Sequence, residues 1–180
     1  MSTTNDSRGQ GRRPSGRPAL YTEEERRRRD ASPWTNVQGM LAPLQFLVFI
    51  VSLVLVIRFL ATGEGHDVAT LSVVAKTIAL YAIMVTGCLW EKDVYGMYLF
   101  APAFYWEDVF SMLVLALHTA YLVALATDAL DARGQMMLAL AAYATYVVNA
   151  TQFILKLRAA RLDQAAKVAA GPASIGGAQA

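Results

Sequence analysis

The sequence contains one cysteine, Cys88, which lies in an apolar stretch. A disulfide framework and zinc sites built from paired cysteines are therefore excluded, and Cys88 is expected to be a small buried apolar residue. Common signatures of soluble enzymes are also missing, since there is no phosphate-binding glycine loop, no GxSxG and no HExxH. The function has to be sought in other features of the chain.

Charged residues are scarce as well. Asp, Glu, Lys and Arg make up 17% of the 180 residues, whereas about 25% is usual for a soluble domain. Hydrophobic residues make up 56%, and the mean hydropathy is +0.36. Eight of the sixteen Lys and Arg residues precede Gln38, so the middle of the chain has long runs without charge. This distribution predicts a membrane protein.

Four apolar stretches predict membrane-spanning helices, because each is close to the ~20 residues that cross a bilayer core. They cover residues 38–61, 68–90, 107–127 and 135–158. Two of the connections between them are short and polar, which favours antiparallel packing of neighbouring helices. The expected fold is an all-α membrane protein whose domain, residues 38–158, is an up-down four-transmembrane-helix bundle.

The segments on either side of this domain are more polar. Residues 1–20 are rich in Gly, Pro, Ser and Arg, which predicts a disordered basic arm. Residues 21–37 predict a short amphipathic surface helix, because Thr22 and Glu25 have the spacing of a capping box, and residues 159–180 form a C-terminal tail. Nucleic acid is not an expected partner, since no binding fold accompanies the arginines. Positive charge gathers at both ends, so both termini are predicted to be cytoplasmic.

Polar side chains within the spans are candidate functional groups, because such residues are costly to keep in a bilayer. Helical spacing and depth bring one set of them together in the cytoplasmic half: Gln38, Gln45, Trp90, Glu91, Glu107, Ser111, Asn149 and Gln152. Structural roles are open for several of these residues. Asn149 and Gln152 can hydrogen-bond between helices, and the helix dipole stabilises Glu107 at the start of its helix.

Two ionisable residues are expected deeper in the membrane. His118 lies about 16 Å from Glu107 along the helix axis. Its imidazole can hydrogen-bond to a neighbouring helix or ligate a metal, including the magnesium of a chlorophyll-type macrocycle. Lys76 is expected to pair with an acidic residue of the adjacent connections.

Three stretches carry a family resemblance: LAPLQFLVFIVSLVLVIRFLATGEG, TGCLWEKDVYGMYLFAPAFYWEDVFSMLVLALHTAYL and LALAAYATYVVNATQF. Over roughly residues 21–162 the chain closely resembles the 2-vinyl bacteriochlorophyllide hydratase family, and the strings WEKDVYG, FAPAF and WEDVFSMLV make the resemblance specific. It implies a hydro-lyase that adds water to the C3 vinyl group of a chlorophyllide or bacteriochlorophyllide during bacteriochlorophyll biosynthesis. It also implies a multi-pass protein of the bacterial cytoplasmic or intracytoplasmic photosynthetic membrane, with other enzymes of the pathway as candidate partners.

Hydration of such a vinyl group needs a carboxylic acid that protonates the terminal carbon and a second polar group that orients water. We predict Glu107 as the acid, with Glu91 or Asp108 positioning the water. The predicted substrate-binding residues are Gln45, Trp90, Ser111, His118, Asn149 and Gln152. No cofactor and no metal bound directly by the protein are expected, because the substrate carries its own magnesium; His118 is a candidate axial ligand to it.

The alternative function is a non-catalytic membrane protein for pigment binding or pigment-complex assembly, with His118 as the magnesium ligand. The distance along the helix makes it hard for His118 to hold the magnesium while Glu107 protonates the vinyl group of the same macrocycle. A small transporter subunit ranks last, because the sequence has none of the inverted repeats that many transporters show. The preference for a chlorin or a bacteriochlorin and the oligomeric state stay open.

Overall fold

The computed structural model describes residues 20–169, and all regular secondary structure in that range is helical. The predicted disordered arm, apart from its last residue, and the end of the predicted tail lie outside the described residues. Five helices follow one another: α1 (Glu23–Ala31), α2 (Pro33–Thr62), α3 (His66–Tyr95), α4 (Tyr105–Ala126) and α5 (Ala132–Ala169). Four of these, α2 to α5, are long and apolar enough to cross a membrane. The predicted all-α architecture with four such helices is confirmed.

The helix ends follow from local sequence signals. The capping box before α1 is present, because the Glu25 backbone N–H donates to Thr22 Oγ1 (3.2 Å) and the Thr22 backbone N–H donates to Glu25 Oε2 (2.7 Å). Pro33 stands at the start of α2, where its missing N–H costs no helical hydrogen bond. Gly63 and Gly96, with φ of 76° and 79°, end α2 and α3 in the left-handed conformation that glycine adopts most easily.

Consecutive helices form two packed pairs. Helix α2 packs most extensively against α3, and α4 packs against α5, while the contacts between the two pairs are sparser. In the segments nearest the two short connections the pairs meet in an apolar core. Its fully buried members include Val56, Val73, Val114, Tyr121 and Met136. One half of the bundle is therefore closely packed.

The opposite half of the bundle is hollow. There residues of the four long helices line a cavity, and α1 lies at its open end. Leu80 and Tyr146 belong both to the packed core and to the cavity lining, so they form the floor that separates the two halves. This division of each helix into a packed part and a cavity-lining part positions the candidate site.

The packed half generates a prediction about stability. Phe49 is 3% exposed and packs against the rings of Tyr143 and Tyr146, with centroid distances of 5.4 and 4.9 Å. Phe49→Ala should lower the free energy of unfolding by about 3–5 kcal/mol because it leaves a cavity in a packed core. The measurement is an unfolding titration in detergent micelles. Leu47→Ala, at a position 61% exposed on the same helix, is the control, and equal losses for the two variants would contradict the packing described here.

Candidate functional site

The cavity in the hollow half has a volume of about 1000 Å³ and is lined by all five helices and the connection between α3 and α4. Sites for small molecules commonly measure roughly 300–1,000 Å³, so this cavity suits a large ligand. Its wall is mostly apolar, with a few polar side chains from each helix. At the end opposite the floor, α1 and the last turns of α5 contribute four charged residues that we call the mouth: Arg26, Arg29, Asp30 and Arg161.

Two carboxyl groups on the wall form what we call the acidic pair, Glu91 at the end of α3 and Asp108 in the first turn of α4. They are 6% and 4% exposed, and two successive residues of the connection between α3 and α4 contact their carboxyl groups. A carboxyl group donates a proton when it is protonated and accepts one when it is ionised. The acidic pair can therefore hold a transferable proton and a proton acceptor side by side.

Backbone N–H groups of the connection hold the acidic pair in place. The N–H of Phe100 donates to Asp108 Oδ2 (2.8 Å), and the N–H of Ala101 donates to Glu91 Oε2 (3.3 Å). Phe100 has a φ of 61°, a left-handed conformation that is uncommon for a residue with a side chain. Successive N–H groups beside a left-handed residue converge on anionic groups. The backbone of the connection is thus shaped to bind these carboxyl groups.

Amide and hydroxyl groups stand deeper in the cavity than the acidic pair. Asn149 Nδ2 donates to Ser111 Oγ (2.9 Å), which joins α5 to α4. The other amide atom of Asn149, Oδ1, is buried without a hydrogen-bond partner among residues 20–169, and so is Nε2 of Gln45. Buried polar atoms without partners are costly. Both amides line the cavity, where a ligand or water can satisfy them.

An aromatic cluster supports the wall near the acidic pair. Trp90 donates from Nε1 to Thr35 Oγ1 (2.9 Å), which fixes the end of α3 against the start of α2. The Trp90 ring packs edge-on against Tyr95 and Phe104, and Phe104 stacks on Phe153 of α5. The indole is therefore held in place and presents an apolar surface to the cavity.

Glu107, the predicted acid, has a different environment. Its carboxylate is ion-paired with Lys156 of α5, with Nζ 2.5 Å from Oε2, and Lys156 also donates to the carbonyl oxygen of Ala103. Glu107 is 7% exposed and does not belong to the cavity lining. In the structure Glu107 thus neutralises a lysine and joins α4, α5 and the connection, next to the acidic pair but outside the cavity.

Two of the predicted substrate-binding residues also lie away from the cavity lining. His118 is fully buried, its Nδ1 is 2.8 Å from the carbonyl oxygen of Val114, and its ring packs against Tyr143. Gln152 is partly buried, with Oε1 lacking a hydrogen-bond partner among the described residues. Lys76 is not paired with an acid of the connections; its Nζ lies 3.9 Å from the centroid of the Tyr146 ring, on the core side of the floor.

Of the nine residues predicted for the site, the structure thus brings six together around one cavity: Gln45, Trp90, Glu91, Asp108, Ser111 and Asn149. Sequence reasoning missed the mouth. Arg26 and Arg29 are spaced three residues apart, so they lie on one face of α1, and that spacing was the available signal. Cys88, expected to be buried, is partly exposed in the cavity wall. Within residues 20–169, no group of three or more His, Cys, Asp and Glu side chains is placed to hold a metal ion.

Comparisons with known proteins agree with one another. Residues 21–159 match the sequence model of the family described as 2-vinyl bacteriochlorophyllide hydratase. A 2-vinyl bacteriochlorophyllide hydratase of Rhodobacter capsulatus is 69% identical over 151 residues, which cover 84% of this chain and 88% of that protein. One of Cereibacter sphaeroides is 67% identical over 148 residues, covering 82% and 91%. No solved structure matches the chain.

The ion pair beside the cavity generates a prediction. Lys156→Gln should destabilise the protein by about 3–5 kcal/mol, because it leaves the Glu107 carboxylate buried without its partner. The double variant Lys156→Gln/Glu107→Gln should recover most of that loss, since neither side chain is then charged. Unfolding titrations in detergent micelles measure both effects. Arg158→Gln, at an exposed position of α5, is the matched control; a double variant no more stable than Lys156→Gln would contradict the pairing.

Proposed function

Because the chain belongs to the 2-vinyl bacteriochlorophyllide hydratase family, we propose that its cavity binds a chlorophyllide or bacteriochlorophyllide and that the acidic pair adds water to the C3 vinyl group. The protein is accordingly a hydro-lyase of bacteriochlorophyll biosynthesis. The observation that supports the catalytic assignment is that Glu91 and Asp108, each bound by one of two successive backbone N–H groups, both line a cavity large enough for a tetrapyrrole.

The reaction needs only a proton and water. The protonated member of the acidic pair gives its proton to the terminal carbon of the vinyl group, whose π electrons form the new C–H bond. The resulting cation at the inner carbon is delocalised into the macrocycle. Water then bonds to the inner carbon and loses a proton to the carboxylate, which regenerates the acid. Hydration therefore leaves the enzyme unchanged and requires neither an oxidant nor a reductant.

The geometry favours the acidic pair over Glu107 as the source of the proton. A general acid has to reach the proton acceptor directly or through one water. Glu91 and Asp108 line the cavity, whereas Glu107 is held by Lys156 outside the lining.

The neighbouring polar groups have separate tasks in this proposal. Gln45 and Asn149 present unpartnered amide atoms to the cavity, where they bind the attacking water or a carbonyl group of the macrocycle. Ser111 fixes the orientation of Asn149 through their hydrogen bond. Trp90 offers a flat surface for the macrocycle. No cofactor takes part, and the magnesium arrives with the substrate.

Binding of the magnesium by His118, which the alternative pigment-carrier function requires, has no support in this arrangement. His118 is fully buried beside Tyr143, a residue of the packed core, and is absent from the cavity lining. A macrocycle in the cavity would be separated from the imidazole by the floor.

The membrane orientation is part of the proposal. The arginines of the mouth come from both α1 and the end of α5, so the beginning and the end of the described chain meet at the hollow half of the bundle. Arg58 and Arg133 flank the two short connections at the other half. Positive residues favour the cytoplasmic side, and we therefore assign up-down topology, cytoplasmic termini and a mouth that opens to the cytoplasm.

The protein would reside in the cytoplasmic or intracytoplasmic photosynthetic membrane of a bacterium and receive its pigment from the cytoplasmic side, where other enzymes of the pathway are candidate partners.

The acidic pair generates a prediction about activity. Glu91→Gln and Asp108→Asn should each reduce the rate of vinyl hydration by at least about a hundredfold, because each variant removes one of the two groups that move the proton. The assay follows the blue shift of the Qy absorption of a 3-vinyl chlorophyllide in detergent, with mass spectrometry to detect the addition of one water.

Glu107→Gln is the decisive comparison, because it changes a carboxylate next to the acidic pair that lies outside the cavity lining. Its rate should stay within a few-fold of the unmodified protein once the amount of folded protein is matched by pigment binding. Normal rates for both acidic-pair variants, together with loss of turnover in Glu107→Gln, would instead identify Glu107 as the proton donor.

A further inference from the structure

The mouth carries a surplus of positive charge in a cavity that is otherwise mostly apolar. Three arginines and one aspartate surround it: Arg26, Arg29, Asp30 and Arg161. Guanidinium groups are costly to place beside apolar surface unless an anion accompanies them. The aspartate cannot neutralise all three, so the mouth is suited to an anionic group of a ligand.

The contacts of the arginines distinguish their roles. Arg29 is already occupied, because its Nε and Nη2 donate to Asp30 Oδ1 (2.9 and 2.7 Å) and its guanidinium lies over the ring of Tyr21. Arg26 is different, since its Nε is buried without a hydrogen-bond partner among the described residues. Arg161 approaches the mouth from α5. Arg26 and Arg161 are thus the arginines available to a ligand.

We propose that Arg26 and Arg161 form a carboxylate subsite, which binds the free propionate of the tetrapyrrole and fixes which edge of the macrocycle enters the cavity first. This inference rests on the proposed function for the identity of the ligand. A chlorophyllide differs from a chlorophyll in having this propionate as a free acid. Arginine binds carboxylates through paired N–H donors, which gives both charge and orientation.

The dimensions of the cavity agree with this arrangement. Arg161 and Asn149 are twelve residues apart on α5, which corresponds to about 18 Å along the helix. A tetrapyrrole with its propionate arm, together with the reach of an arginine side chain, spans a comparable length. With the carboxylate at the mouth, the opposite edge of the macrocycle, which bears the C3 vinyl group, points into the cavity towards the acidic pair.

An esterified propionate carries no charge and projects an added group, so it cannot pair with the arginines in the same way.

The experiment compares two probes that differ only at the propionate, chlorophyllide a and its methyl ester. The protein, purified in a neutral detergent, should bind the free acid at least about tenfold more tightly than the ester, because a charge-assisted hydrogen bond is lost in the ester. The double variant Arg26→Gln/Arg161→Gln should lose this preference by weakening the binding of the acid while leaving that of the ester unchanged. Quenching of tryptophan fluorescence by the pigment measures both affinities.

Arg28→Gln is the matched control. Arg28 lies on the same helix, but its Nε is 3.2 Å from Glu24 Oε1 and it does not line the cavity, so it should keep the preference for the acid. Equal binding of the acid and the ester by the unmodified protein would overturn the subsite. Equal binding is also the result expected if an anionic lipid headgroup, rather than the propionate, occupies the mouth. The same loss in Arg28→Gln would also overturn the subsite, because the effect would then come from overall charge.

Binding and turnover separate this inference from the proposed function. A preference for the acid that disappears in the double variant supports the subsite, whether or not vinyl hydration is detected. If no hydration is detected, the proposed function is overturned while the subsite stands. Hydration of acid and ester with the same KM supports the function and overturns the subsite.

Discussion

Two successive backbone N–H groups, those of Phe100 and Ala101, bind the carboxyl groups of Asp108 and Glu91 on the cavity wall, and the candidate site depends on these two contacts. Carboxyl groups buried in a membrane protein are tolerated where each finds donors. The left-handed conformation of Phe100 aims successive N–H groups at both of them. A strained residue of this kind costs about 1–3 kcal/mol, which the carboxyl contacts offset. The connection between α3 and α4 therefore positions two carboxyl groups of the cavity wall, in addition to linking the helices.

A second polar interaction, the ion pair between Lys156 and Glu107, involves the carboxylate next to the acidic pair. Three carboxyl groups stand close together at this end of the bundle, and a single lysine, Lys156, is directed at one of them, Glu107. The ion pair ties α5 to α4 and to the carbonyl oxygen of Ala103. The placement of one lysine thus separates a carboxylate that joins helices from the two carboxyl groups that line the cavity.

The sequence alone predicts the four apolar helices and the residue types that converge, because hydrophobic length and helical period are local properties of the chain. It also places Gln45, Glu91, Ser111 and Asn149 in the same half of the membrane. It does not determine which of two adjacent carboxylates, Glu107 or Asp108, faces the cavity, because a rotation of one residue changes a helical side chain's direction by about 100°. The orientation of the two side chains depends on contacts of Asp108 with the connection and of Glu107 with Lys156 of α5, and α5 is distant from them in sequence. The mouth was missed for a similar reason, since its arginines come from two helices that only the tertiary structure brings together.

The packed and hollow halves of the bundle explain why a small protein can hold a large flat ligand within a membrane. Its apolar core, below Leu80 and Tyr146, keeps the four long helices together, so the other half can stay open without loss of the fold. A tetrapyrrole is apolar over its faces and carries charge at one edge. The cavity has the same distribution of charge, with an apolar wall and arginines only at the mouth. If the charged edge of the macrocycle entered the cavity first, its carboxylate would be buried far from these arginines, which is costly. The charge of the substrate would thus orient the macrocycle, and the vinyl group at the opposite edge would reach the only part of the wall that offers two carboxyl groups among the described residues.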